Sequence, residues 1–131
     1  MRAVVGKDIC RDLGQAMVSE WLDTNGCGGF ASSTIAGVNT RRYHSLLIAS
    51  LDAPVGRVTY LSSIQETATV GSHSLELGCN VYHDVVHPRG YRYLEHVQVE
   101  PYPISTYRIE GVSLEKHVMM LSGRNATVIS Y

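Results

Sequence analysis

Period-two alternation of apolar and polar residues dominates the second half of the chain. Across residues 90–101 the odd positions Tyr91, Tyr93, Val97 and Val99 are apolar apart from Glu95, and Arg92, His96, Gln98 and Glu100 alternate with them around Leu94, which predicts a half-buried strand. Downstream, residues 104–109 and 112–121 flank Glu110-Gly111, and a glycine there permits the positive φ of a two-residue hairpin turn. In that register Ile109 faces Val112 and Tyr107 faces Leu114 on one side, while Arg108 meets Ser113 and Thr106 meets Glu115 on the other. A second hairpin is predicted from residues 58–70 and 74–82, joined through Gly71-Ser72-His73. A loop of either two or four residues places Ile64, Ala68 and Val70 on the face of Leu75, Leu77, Cys79 and Val81.

Between the hairpins, residues 83–90 read as a connection, because Pro88 removes a ladder donor and Gly90 permits a turn. Residues 12–22 fit two patterns: Leu13, Ala16, Met17 and Trp21 form a helical face, yet Ala16, Val18 and Leu22 alternate. A strand over 17–23 is favoured. Residues 42–51, with Tyr43, Leu46, Leu47, Ile48 and Ala49, predict a buried strand bounded by Asp52-Ala53-Pro54. Gly123-Arg124-Asn125 predicts a turn, and 126–131 the opening of another strand. With no helical stretch longer than two turns and a turn signal every ten residues or so, the expected fold is all-β, an antiparallel β-sandwich. The pattern stops inside a strand, which would leave sheet-edge backbone unpaired and leads us to expect further chain beyond it.

Composition narrows the class without choosing a function. The 131 residues suit one domain, residues 1–131, and 44% hydrophobic with 18% charged residues is ordinary globular material. A formal charge of −1 provides no field for polyanions, so nucleic acid is not an expected partner, whereas a neutral glucan is compatible. Only three apolar residues precede Gly6-Lys7 after Met1-Arg2, too few for a signal peptide, and no apolar run approaches a membrane span, so the expected location is cytoplasmic, with no membrane partner. Cys10, Cys27 and Cys79 are odd in number and lack metal-ligand spacing, so three reduced thiols are expected.

The segment from Glu20 to Ala49 concentrates the chemistry: Asn25-Gly26-Cys27-Gly28-Gly29, then Arg41-Arg42-Tyr43-His44. Together with His87-Pro88-Arg89-Gly90-Tyr91-Arg92-Tyr93-Leu94 and residues 107–116, it resembles the N-terminal part of prokaryotic-type glycogen debranching enzymes, the amylo-alpha-1,6-glucosidase family. The resemblance spans nearly the whole chain. It implies a supersandwich-like β-domain followed by an (α/α)6 barrel that carries the acidic pair cleaving α-1,6 branch glucosides. On that reading no catalytic residue lies in this chain, and its partners are its own C-terminal barrel and glycogen or another α-glucan. Where the family usually has a glycine after Arg-Arg-Tyr-His, this chain has Ser45.

Read physically, Gly26, Gly28 and Gly29 allow a tight turn or close approach by a ligand or neighbouring domain, and Asn25 suits either a turn hydrogen bond or a sugar hydroxyl. If Arg41 to His44 were a strand, Arg41 and Tyr43 would share one face and Arg42 and His44 the other. The candidate substrate-binding or domain-interface residues are therefore Asn25, Gly26, Gly28, Gly29, Arg41, Arg42, Tyr43 and His44, with internal ion pairing as the structural alternative for the arginines. Gly26-x-Gly28-x-x-Ala31 matches a relaxed dinucleotide fingerprint, but no helix opens at the glycines, so no cofactor is expected. His83 and His87 flank β-branched residues and a proline rather than a helix turn, so no metal is expected. Asn125-Ala126-Thr127 is a glycosylation sequon without a secretory signal to use it. An autonomous carbohydrate-binding module, favoured by eight tyrosines, and a purely structural or oligomerisation domain remain as rival readings.

Overall fold

The computed structural model describes residues 3–53 and 55–131. Along the chain come β1 (Val4–Val5), the single-turn helices α1 (Lys7–Cys10) and α2 (Leu13–Ala16), β2 (Glu20–Thr24), β3 (Phe30–Thr34), β4 (Ser45–Asp52) and β5 (Val55–Leu61). Then follow β6 (Thr67–Val70), β7 (His73–Glu76), β8 (Cys79–Val81), β9 (Val86–Arg89), a 3-10 turn over Gly90–Tyr93, β10 (Leu94–Gln98), β11 (Ile104–Ile109), β12 (Val112–Met120) and β13 (Thr127–Ser130). One sheet has the order β1-β10-β11-β12-β13, a second β2-β3-β4-β5, and β6–β7 and β8–β9 form two small hairpin sheets. All pairings are antiparallel. The fold is the expected all-β antiparallel sandwich.

Alternation explains why the two main sheets stack. In β2, Trp21 turns inward while Leu22 and Thr24 face out, and Trp21, Ala31 and Leu46 meet Val97, Tyr107, Ile109 and Val118 of the opposing sheet in one core. Polar ties cross between the layers: Asp23 Oδ2 accepts the Met120 N–H at 2.7 Å, and Thr127 Oγ1 donates to the Leu46 carbonyl at 2.7 Å. Within the larger sheet, β1 pairs with the outer side of β10, and the lead-in behind it buries Cys10 and Ala16 completely. Arg11 anchors that lead-in by donating to the Leu94 carbonyl and to Glu95, which Lys7 also reaches.

The β11–β12 hairpin has the anticipated register at every pair, and its turn carries Glu110 at φ 48° and Gly111 at φ 79°, both positive as a type I′ turn requires. The β6–β7 loop is two residues long, and Ala68 and Val70 do share the core-packed face of Leu75. The turn and strand after Gly123 also form, with β13 paired to β12.

Six expectations need correction. Residues 58–70 are not one strand: β5 pairs with β4, and the chain changes sheets before β6. Residues 74–82 break at Leu77-Gly78, and part of the expected 83–90 connection is β9, paired to β8, with the Pro88 ring buried. The strand over 90–101 begins only at Leu94, because Gly90 crosses so close to Leu77 that a Cβ would lie 1.8 Å from its carbonyl oxygen; a bulge at Glu95 then resets the alternation. Near the start, Asp12 caps α2 by accepting the Gln15 N–H, so Leu13 and Ala16 follow the helical pattern and β2 begins at Glu20 rather than 17. Finally, β4 begins at Ser45, and Arg41 to His44 lie in the turn before it. Pro54 and the leading Met1-Arg2, used in the sequence reading, lie outside the described residues.

Candidate functional site

The outer face of the four-stranded sheet is built by register. Thr24 pairs with Phe30, and Phe30 with Ile48, which in turn pairs with Thr59, so these side chains form one row across the sheet. Leu22 flanks Thr24 on the same face, and Arg57 of β5 stands over the Phe30 ring with its guanidinium carbon 5.7 Å from the centroid. The loops before and after β3 flank this row. They bring most of the candidate residues to one place.

The 25–29 loop is stitched from within. Asn25, 1% exposed, accepts the N–H groups of Cys27 and Gly29 on Oδ1, both at 2.9 Å, and donates from Nδ2 to the Arg124 carbonyl and to Asn125 Oδ1. Its own carbonyl receives the Gly123 N–H, so one side chain and its peptide unit bind the loop to the β12–β13 turn. Its side-chain amide valences are fully used. Gly29 has to be glycine for space, since a Cβ would lie 2.4 Å from Asn25 Nδ2 and 2.8 Å from the Ile48 carbonyl oxygen. Gly28 adds a φ of +93° to close contact with Ser50, whereas Gly26, at φ +78°, has open space around it.

The 40–44 turn is pinned at its base and free at its tip. His44 has a fully buried side chain whose Nδ1 accepts the N–H groups of Thr40, at 2.9 Å, and Arg41, at 3.1 Å. A nitrogen accepting two N–H groups carries no proton of its own, so the neutral ring is protonated on Nε2. That atom lies 2.9 Å from Glu20 Oε1 but off the ring's N–H direction, so the contact is electrostatic rather than an aligned hydrogen bond. Arg41 donates to the same Glu20 carboxylate. Its hydrogen bond holds the Glu20 carboxyl below the usual range against partial desolvation, with weaker help from His44.

Arg42 and Tyr43 belong to the other half of the turn. Tyr43, 48% exposed, makes a T-shaped contact with His44, with ring centroids 5.5 Å apart and planes at 80°. It lines a groove of about 500 Å³ with Leu22, Thr24, Phe30, Arg57 and the three loop glycines. An adjoining depression of about 390 Å³ contains Arg42, Ile48 and Thr59 and shares Phe30, Tyr43 and Arg57. The structure thus gathers Gly26, Gly28, Gly29, Arg42 and Tyr43 around one groove, buries Asn25 beneath its rim, and turns Arg41 and His44 toward Glu20.

Sequence reasoning missed Glu20, Phe30 and Arg57 as members of this site. Pairing of β2 with β3 would have found Phe30, but Arg57 arrives through the β4–β5 hairpin, whose register contains a bulge. Among the described residues, no group of three or more His, Cys, Asp or Glu side chains is placed to hold a metal ion. His83 approaches Asp84 and His87 approaches Glu76, so the two histidines have separate partners. All three cysteines are free, and burial pushes the thiols of Cys10 and Cys79 up to about 11. No described helix is long and apolar enough to cross a membrane.

No curated protein and no solved structure matches the chain. A family model described as the N terminus of glycogen debranching enzyme matches residues 19–131, which include both main sheets apart from β1 and every residue of the groove. By that match, over a body of the expected antiparallel architecture, the chain belongs to the glycogen debranching enzyme N-terminal family.

Proposed function

We propose that this domain is the non-catalytic leading module of a cytoplasmic enzyme that hydrolyses the α-1,6 branch linkages of glycogen. It packs on an (α/α)6 catalytic barrel and presents the 25–29 loop and 40–44 turn to the barrel's substrate cleft. One observation carries the reading: two polar loops, separated in sequence by all of β3, converge on a single groove in a domain matched to a debranching family. Sites commonly occupy loops held by a rigid sheet, and here the internal bonds of Asn25 and His44 supply the rigidity.

The test has two arms. Incubated with branched limit dextrin, the 131-residue chain alone releases no glucose, and release would end the non-catalytic reading. In the whole enzyme, Arg42→Ala lowers the debranching rate about tenfold with folding intact, an amount equivalent to one good polar contact. An unchanged rate would detach the turn from the cleft.

A further inference from the structure

The cavities differ in what polar chemistry they leave uncommitted. A small pocket of about 60 Å³ among Ser33, Asn39, Ser105 and Tyr107 has room for water only. The apolar groove beside the β6–β7 hairpin ends at Glu66, whose two oxygens are already engaged by Lys116 and Tyr131. On the outer face of the four-stranded sheet the balance is reversed. No carboxylate lines either part of that groove. Arg57 uses Nε on the Gly28 carbonyl at 3.0 Å, leaving its terminal nitrogens over Phe30, and among the described residues Arg42 makes no ion pair. Thr24, Thr59 and Tyr43, each with a hydroxyl, line the same groove.

We propose that this groove is a binding platform for an α-glucan chain, with Tyr43 as the stacking surface, Phe30 and Ile48 as the floor, and Arg42 and Arg57 as hydroxyl donors. The proposal rests on the debranching-domain reading, from which the ligand class comes. A sugar ring has one flat C–H face that suits an aromatic surface and a rim of hydroxyls that accept hydrogen bonds from guanidinium forks. Tyr43 is exposed and already oriented, because its ring meets the buried His44 ring in a T-shaped contact, so little ordering accompanies binding. Two arginines in a groove that no carboxylate lines disfavour a cationic ligand. The groove, about 500 Å³ in its larger part, falls within the size range of small-ligand sites.

Amide NMR of the 131-residue chain, titrated with maltoheptaose into the tens of millimolar, reads the site directly. A single shallow platform predicts affinity of about millimolar order, with shifts at Thr24, Gly26, Gly28 and Thr59 and none at the distant Glu110-Gly111 turn. Tyr43→Ala weakens binding about tenfold and Tyr43→Phe within about threefold, because the ring rather than its hydroxyl does the stacking. Unperturbed shifts elsewhere confirm that each variant is folded. Absence of shifts on this face, binding unaffected by Tyr43→Ala, or shifts produced by inorganic polyphosphate but not by maltoheptaose would each overturn the proposal. If no glucan binds while Arg42→Ala still slows the whole enzyme, the platform falls and the debranching-module reading stands.

Discussion

The loop before β3 and the turn after it use their polar residues in opposite directions. In the 25–29 loop every hydrogen-bonding valence of the Asn25 amide points inward, and the glycines serve a tight crossing against Ile48 and Ser50. In the 40–44 turn one buried histidine and one ion pair hold the base, while Arg42 and Tyr43 remain turned toward the groove. Chemistry of the same apparent kind, a short polar run between strands, thus divides into a part that fixes shape and a part that faces a ligand. An internal partner for the side chain, rather than its polarity, separates the two.

Substitutions at the buried members test this division. Asn25→Ala should have the largest effect, because it strands the N–H groups of Cys27 and Gly29 and the Arg124 carbonyl; a loss of about 3 kcal/mol or more in urea unfolding is expected. A loss below about 0.5 kcal/mol would mean that water replaces the amide and that the loop is open. His44→Ala comes next, at about 2 kcal/mol, since two turn N–H groups lose their acceptor and a buried ring leaves a cavity. The same variant should blunt maltoheptaose shifts even though His44 does not line the groove, because Tyr43 loses the ring it rests on.

The smallest effect lies at the exposed ion pair. Glu20 is held below the ordinary glutamate range chiefly by the Arg41 hydrogen bond, so its contribution is complete above that range and disappears as the pH falls through the lowered value. NMR titration of its side chain should give a midpoint under the ordinary value of about 4.3, moving upward in Arg41→Gln. Global stability should scarcely change, because a solvent-screened pair contributes little. A midpoint that ignores Arg41→Gln would leave the turn held by His44 alone.

The legible parts of the fold were those governed by local rules. Glu110-Gly111 fixes its turn through backbone preference, and the register of β11 on β12 follows from it. Residues 58–70 were illegible as two strands because Val58 and Val70 have the same β-favouring chemistry, and nothing local records that they belong to different sheets. The 90–93 turn depends on a crossing with Leu77, a contact between segments thirteen positions apart. At the site, the sequence singled out the Gly-rich loop and Arg41 to His44, but a period-two reading of Arg-Arg-Tyr-His suggested a strand. The bonds from Thr40 and Arg41 to the His44 ring are what close it into a turn. Arg57 carried no signal at all, since an arginine in a strand becomes part of a groove only when the bulged β4–β5 register places it over Phe30.

Residues 3–18 lie outside the family match, yet they occupy the flank of β10 and fill the space taken by Cys10 and Ala16. A polypeptide trimmed to the matched region would bare a ladder of main-chain amides and carbonyls along β10, ready to recruit a strand from another molecule. Oligomers or precipitate, more than simple melting, are the expected failure of such an abbreviated form, with residues 3–18 serving as the hem that closes this edge.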